Sequence, residues 1–326
     1  MLGVIINTKA GKKAYLRQRY YLFDLLREKG TEYTYHVTQY AGHAAELAQV
    51  FVEQGYDRLL VLGGDGTLSE VIDGVMHVIA SAKNNSSRHP LVSVGLMPRG
   101  TGNDWGRYWH LTKDHKKSLD RFFSGTAQPV DVGCLTVRRA GKEEKHYFIN
   151  SVGFGIDAKT CERAQVMKYY VGSHGINYFF GLLSALFTHK SVPVKISTKY
   201  QVPSTKYEGT EGDVRVESWE QPLFTMNIGN GPFSGGGIKQ NPDADPTDGI
   251  FHSMFVTTPS FKDVMRAIPK LFNGRLPEVD FIRNFRATEV EIETQEHIVI
   301  EKDGILVDAC GPYKVEILPK AIGFVC

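Results

Sequence analysis

Over roughly the first hundred residues, short apolar runs alternate with longer stretches in which apolar positions recur every three or four residues. Leu2 to Ile6 reads as a first strand. Leu16, Tyr20, Phe23 and Leu26 mark a helix face within Lys13 to Glu28, and Gly30 follows its last turn. Tyr33 to Thr38 predicts a second strand, and Ala44, Leu47, Ala48 and Phe51 a second helix. Arg58 to Leu62 predicts a third strand running into glycines, Leu68 to Ile79 a third helix, and Leu91 to Met97 a fourth strand. Such a βαβαβαβ order calls for a parallel sheet with helices on its faces, a Rossmann-like three-layer α/β domain.

Beyond about Thr126 the texture changes. Val130 to Val137, Tyr147 to Val152, Val192 to Thr198, Leu223 to Ile228 and Phe251 to Thr257 each predict a strand, and together a mainly antiparallel β-sandwich. Two helical insertions interrupt it, over Asp157 to Phe187 and Phe261 to Asn273. Ser260 and Asp263 are spaced as a capping pair for the second, and Pro269 is expected to kink or end it. The polar stretch Tyr200 to Gln221 predicts an exposed hairpin, with Asp213 to Glu217 as an edge strand. The expected domains are therefore 1–128 with a return segment 309–326, and 129–308.

At 326 residues the chain is long enough for two such domains. Lys and Arg number 38 against 36 Asp and Glu, a net charge of +2, which argues against nucleic acid as a partner. The four cysteines form no CxxC pair, so neither a disulfide framework nor a zinc site is expected, and a reducing, cytoplasmic setting fits. The opening apolar run lacks the basic lead and long apolar core of a signal peptide. Ile176 to Phe187, the longest apolar stretch, falls short of the ~20 residues that span a bilayer.

Candidate chemistry lies where strands run into glycine loops. Gly63-Gly64-Asp65-Gly66-Thr67 stands between a strand and a helix, where backbone N–H groups and the positive helix end suit a phosphate. Asp65 beside phosphates implies a metal ion or a transferable proton; the alternative is a tight turn whose glycines serve geometry alone. Pro98-Arg99-Gly100-Thr101-Gly102-Asn103-Asp104 and Asn7-Thr8-Lys9-Ala10-Gly11-Lys12 should open at the same carboxyl edge of the sheet, where ligands of open α/β sheets sit. Asn241-Pro242-Asp243-Ala244-Asp245-Pro246-Thr247-Asp248-Gly249 could hold a hard cation through oxygen or be a solvated acidic turn. Lys168, Lys190 and Lys195, near the aromatic cluster Tyr169 to Phe187, read first as core and solvated surface, with an interfacial patch as the alternative.

Gly63 to Glu70, Gly100 to Asp104 and Asn241 to Gly249, with Asn150 to Ala158 and Ile317 to Ile322, occur in the order and spacing of the diacylglycerol kinase catalytic family, which this chain resembles along nearly its whole length. The resemblance implies a phosphofructokinase/NAD kinase-like α/β domain, a lipid-binding β-sandwich, and a cleft between them that a lipid enters from a membrane surface. It implies transfer of the ATP γ-phosphoryl group to a lipid hydroxyl, with Mg2+, diacylglycerol being the first acceptor. Asn7, Thr8, Lys9, Ala10, Gly11, Thr38, Gly64, Asp65, Gly66, Thr67, Leu68, Ser69, Glu70 and Thr101 match its ATP positions. The resemblance further implies that Asp65 is linked to the catalytic Mg2+. Asp245, Asp248 and Ile250 match a structural metal site, Asp248 by its side chain and the others by their carbonyls.

One position departs from the family. Its Asp-Gly-Glu, whose Glu accepts the proton, reads Asp303-Gly304-Ile305 here. Asp303, Asp65, Glu301 or Asp308 is left to replace it. Two rivals follow: a soluble kinase resembling NAD kinase, against which the Gly100 and Pro242 segments stand, and a degenerate nucleotide- or lipid-binding sensor. A homodimer and peripheral contact with the inner membrane face are expected from the resemblance alone.

Overall fold

The computed structural model describes residues 1–10, 15–83, 91–100, 102–171, 176–186, 188–201 and 214–326, and divides the chain into two units, Met1–Val130 with Lys320–Cys326, and Asp131–Pro319. Gly11, Thr101 and the polar segment 202–213 lie outside the described residues.

In the first unit the strands are β1 (Leu2–Ile6), β2 (Tyr33–Val37), β3 (Arg58–Gly63) and β4 (Ser93–Pro98), with α1 (Tyr15–Glu28), α2 (His43–Glu53) and α3 (Asp65–Lys83) between them. Two helices that the periodicity did not single out follow, α4 (Asp104–Tyr108) and α5 (His115–Ser124). The sheet order is β2-β1-β3-β4, all parallel, and Gly323 to Val325 at the chain's end add a further parallel strand beside β4. Every residue of β1 is buried, as a central strand covered on both faces requires. Because β1, β3 and β4 are adjacent and parallel, the loops after them open at one edge.

The second unit takes up β5 (Ala127–Arg139) from Asp131 on. It then holds β6 (Lys142–Phe148), β7 (Ser151–Gly155), α6 (Ile156–Val171), α7 (Ile176–Leu186), β8 (Val192–Gln201), β9 (Val214–Leu223), β10 (Thr225–Gly229), β11 (Phe251–Val256), α8 (Phe261–Asn273), β12 (Ile282–Ala287), β13 (Glu289–Glu293), β14 (Ile300–Lys302), β15 (Ile305–Val307) and β16 (Cys310–Val325) up to Pro319. One sheet runs β12-β11-β10-β7-β14-β15, antiparallel throughout. Strands β9-β8-β13 and the first part of β16 form the facing layer. Phe148, Phe154, Phe251 and Phe255 meet Ile196, Val290, Ile292 and Val315 in the core between them. Tyr313 to Glu316 pair with β13, so the chain returns to the first unit at Lys320 rather than at 309.

Two expectations of detail are corrected. Tyr147 to Val152 is not one strand: β6 and β7 are separated at Ile149 and Asn150, whose N–H groups are taken by the Asp303 carboxylate. Leu223 to Ile228 likewise breaks at Phe224, whose N–H donates to Val256 O and whose carbonyl accepts from Ile156 N. Helix α8 spans Phe261 to Asn273 as expected, and Pro269 does not end it. Pro269 lies on the exposed side, where the carbonyl that loses its N–H partner can turn to water, and the helix ends on Gly274 in the left-handed region.

Candidate active site

The edge of the first unit is built from backbone approaches. Strand β3 ends at Gly63, Gly64 follows, and α3 begins at Asp65, so the glycine stretch is largely a helix start rather than an open loop. Leu68 N donates to Gly64 O, the first bond of the helix, leaving the N–H groups of its first turn without intrahelical acceptors and at its positive end. A Cβ on Gly64 would lie 2.7 Å from Gly100 Cα, and one on Gly100 2.8 Å from Gly64 Cα. The two loops therefore touch backbone to backbone, and Arg99 N donates to Gly63 O across 2.6 Å. On Gly66, by contrast, a Cβ would meet nothing within 4 Å. Its side faces open space.

Side chains then tie the loops together. Asn7 Nδ2 donates to Thr67 Oγ1 at 2.8 Å, and Asn7 Oδ1 accepts from Lys9 N, which shapes the turn after β1. Lys9 Nζ reaches Gln39 O, and Thr38 N donates to Ile6 O beside it, so Asn7, Thr8, Lys9, Ala10 and Thr38 form one rim. Asp65 Oδ1 accepts from Trp105 N at 3.2 Å, linking α3 to the first turn of α4. Trp105 is fully buried, edge-on to Phe324, which anchors that turn. Asn103, at φ 50°, donates to Gly100 O, and its buried Oδ1 has no hydrogen-bond partner among the described residues.

Of the remaining positions matched by resemblance, Leu68 and Ser69 are wholly buried in the unit. The Glu70 carboxylate accepts from Gly42 N and Ala44 N, capping α2, whose N-cap Gly42 has no side chain to do so. That bond joins residues 28 apart in sequence, which no local pattern reveals.

In the second unit the carboxylates are heavily engaged. Asp303, at φ 47°, accepts from the backbone N–H groups of Ile149, Asn150 and Ser151 at 2.8 to 3.1 Å. This clamps the β6–β7 turn. Glu301 is buried and accepts from Gly304 N; burial first, and then the neighbouring Asp157, push its carboxyl well above the ordinary range. Both sit around Gly153, where a Cβ would lie 2.5 Å from Asp157 Oδ2 and 2.7 Å from Glu301 Oε1. Asn227 and Gln240 donate to Asp157, and Asn241 to Asn227. Sequence reasoning marked the segments that hold Gly153, Asp157 and Asn241 and named Glu301, but missed Asn227 and Gln240 and did not join them, since it is the pairing of Gly153 with Glu301 and Asn227 across the sheet that gathers them. Ile305 is half-buried on β15, and the Asp308 side chain is exposed beside His297.

The Asp245 to Ile250 turn is likewise stitched. Asp245 Oδ1 accepts from the N–H and hydroxyl of Thr247, Asp248 Oδ1 from Ile250 N, and Asp248 Oδ2 lies 3.2 Å from His252 Nε2. Buried Asp131 holds the turn through Gly249 N. Among the described residues no three His, Cys, Asp or Glu side chains gather as a metal cage.

The family profiles of known proteins match in two consecutive pieces: the diacylglycerol kinase catalytic domain over residues 1–135, and the YegS C-terminal NAD kinase beta sandwich-like domain over residues 150–326. The chain belongs to the diacylglycerol kinase family of lipid kinases. It is 27% identical over 303 residues to a diacylglycerol kinase of Staphylococcus carnosus, covering 92% of this chain and 87% of that one. It is 26% identical over 321 residues to a diacylglycerol kinase of Mycobacterium tuberculosis, covering 98% and 92%. A crystal structure of a diacylglycerol kinase from Bacillus anthracis str. Sterne superposes with TM-score 0.66 over 99% of this chain and 96% of that one, at 20% identity, and shows the same fold.

Membership in a kinase family implies use of ATP. The first unit of this diacylglycerol kinase relative fits a triphosphate: the first turn of α3 supplies donors, and the open side of Gly66 leaves room. Among the described residues no helix is long and apolar enough to cross a membrane.

Proposed function

We propose that the chain transfers the γ-phosphoryl group of ATP to the hydroxyl of a membrane lipid, diacylglycerol before other glycerolipids, sphingoid bases or polyprenols. The observation that carries the reading is the backbone contact of Gly64 with Gly100 at the carboxyl edge of the parallel sheet, beside the N-terminus of α3. That contact, with the Asn7 to Thr67 hydrogen bond, brings the N-terminus of α3, the Asp65 carboxylate and the Asn7 to Lys9 turn together at one edge.

In this reading the N–H groups of Gly66 and Thr67 hold phosphate oxygens, and Asn7 keeps the Thr67 hydroxyl oriented. Asn103 Oδ1 offers an acceptor to a ribose hydroxyl or an adenine amino group. Asp65 is held in place by Trp105 N, and either helps to hold Mg2+ or accepts the lipid hydroxyl proton. Mg2+ bound there would offset the repulsion between carboxylate and phosphates; a single carboxylate suits an ion that keeps most of its ligands as water and phosphate. The Asp248 carboxylate with the carbonyls of Asp245 and Ile250 makes an all-oxygen set of the kind a second, structural Mg2+ takes. Asp303 shapes the β6–β7 turn through three N–H groups, so Asp65 is the stronger candidate for proton acceptor.

The test is transfer of labelled γ-phosphate from ATP with Mg2+ into a mixed lipid extract, followed by chromatography of the product. A labelled lipid migrating as phosphatidic acid supports diacylglycerol, and another mobility names another acceptor. Folded protein that binds ATP yet labels no lipid would sink the reading. Ile305→Glu sharpens it: a gain of about tenfold or more in transfer is expected if the missing carboxylate limits the rate.

A further inference from the structure

Helix α8 of the second unit carries one broad apolar face. Val264, Ala267, Ile268 and Leu271 face inward and roof a cavity of about 90 Å3, which α6 and α7 also line through Ile156 and Leu182. At the outer edge of that face Phe261, Met265 and Phe272 are 55%, 41% and 52% exposed, although each is a residue that folding ordinarily buries. Positions 261, 265 and 272 follow i, i+4, i+11 spacing and lie on one stripe. Lys262, Arg266 and Pro269 are exposed beside them.

The charges are arranged one-sidedly. Asp263, the sole acidic residue of the helix, is used in the capping box: its carboxylate accepts from the Ser260 N–H and hydroxyl. The nearby Glu278 is paired with Arg275 and Lys270. Lys262 and Arg266 therefore stand among exposed apolar side chains with no acidic residue on that stripe. A basic, apolar helix face with little net hydrophobicity is the pattern of a helix lying in a headgroup layer. Lysine and arginine there meet anionic lipid, while the rings enter the acyl boundary. A partner protein of acidic surface would satisfy the two cations but has no reason to sit above an apolar cavity.

We propose that the outer face of α8, Phe261, Lys262, Met265, Arg266 and Phe272, is the surface by which this protein docks on an anionic bilayer. The inference takes its purpose from the lipid kinase reading, but the docking itself needs neither ATP nor catalysis. Phe261, Met265 and Phe272 enter the bilayer to the depth of the headgroup–acyl boundary.

Flotation of the full chain without ATP tests it, using vesicles of phosphatidylcholine alone and of equal parts phosphatidylcholine and phosphatidylglycerol. The parent is expected to float with the anionic vesicles and much less with the neutral ones. Phe261→Ser with Phe272→Ser should lower partition into anionic vesicles about tenfold or more. Lys262→Gln with Arg266→Gln should lower it by a similar factor, an effect that salt reproduces in the parent. Circular dichroism and thermal midpoints control for folding; should the paired serine variant fail to fold, Phe272→Trp is expected to shift its emission to the blue with anionic vesicles only. The proposal is overturned if the parent floats with neither vesicle, if both paired variants float as the parent does, or if the Trp emission is unmoved. A parent dimer that the Phe variants dissociate, with vesicle binding unchanged, would assign the face to a second copy. Phosphorylation of a water-soluble short-chain diacylglycerol should be unchanged in these variants. Its absence in the parent would defeat the kinase reading while leaving the docking result standing.

Discussion

The carboxyl edge of the first unit and the carboxylate cluster of the second use polar groups in opposite ways. At the edge, Gly64 and Gly100 let two backbones touch, Gly66 leaves space, and the first turn of α3 keeps donors that its own helix cannot use. Around Gly153, Asp157, Glu301 and Asp303 are supplied with donors from Asn227, Gln240, Gly304 and the β6–β7 turn. A region built to receive an anion leaves hydrogen-bonding capacity open, whereas a region that holds strands together saturates it. Ile305, where the resemblance leads one to expect the proton acceptor, lies in the second kind of region, next to an Asp303 carboxylate that accepts from three backbone N–H groups.

The largest effect expected from breaking this contrast is on transfer. Asp65→Asn keeps an acceptor for Trp105 N but removes the charge, and should reduce phosphoryl transfer by about a hundredfold or more with an unchanged thermal midpoint. If activity persists, Asp65 is a structural group like its counterparts in the second unit. Asp303→Ala should show the opposite profile: three N–H groups lose their acceptor, at a cost of about 2 kcal/mol or more by chemical denaturation. Loss of transfer in that variant with full stability would return Asp303 to the chemistry.

Smaller effects sharpen the comparison. Gly66→Ala meets no neighbour, so the fold should be unharmed or gain up to about 1 kcal/mol in helix propensity. ATP affinity, measured by calorimetry, should nonetheless fall roughly tenfold if a phosphate occupies that space. Glu301→Gln retains an acceptor for Gly304 N and removes a titrating group. Because the Glu301 pKa is raised in the fold, the folded chain keeps a proton that the unfolded chain has already lost. Its contribution to stability therefore declines as pH rises above the ordinary glutamate value of 4.5. Thermal melts across about pH 5 to 8 should show a shallower decline in the variant than in the parent.

Some elements were legible because their causes are local. Leu2 to Ile6 is a continuous apolar run and forms a strand over those residues. Helix α8 begins where Ser260 and Asp263 cap it and ends before Gly274, all within one stretch of chain. Other features depend on distant partners. The break between β6 and β7 is made by Asp303, 154 residues from Ile149, and the capping of α2 by Glu70 crosses from one helix to another.

The sequence by itself determined the βαβ order, the antiparallel second half, the glycine–aspartate loops and the family, since periodicity and motif spacing are properties of neighbouring residues. Tertiary structure alone decided that the Gly64 and Gly100 backbones touch, that Glu70 serves α2, and that the second-unit carboxylates are consumed by backbone and amide donors. Hydrogen bonds and close contacts select partners by position in space, and the chain brings those positions together only when it folds.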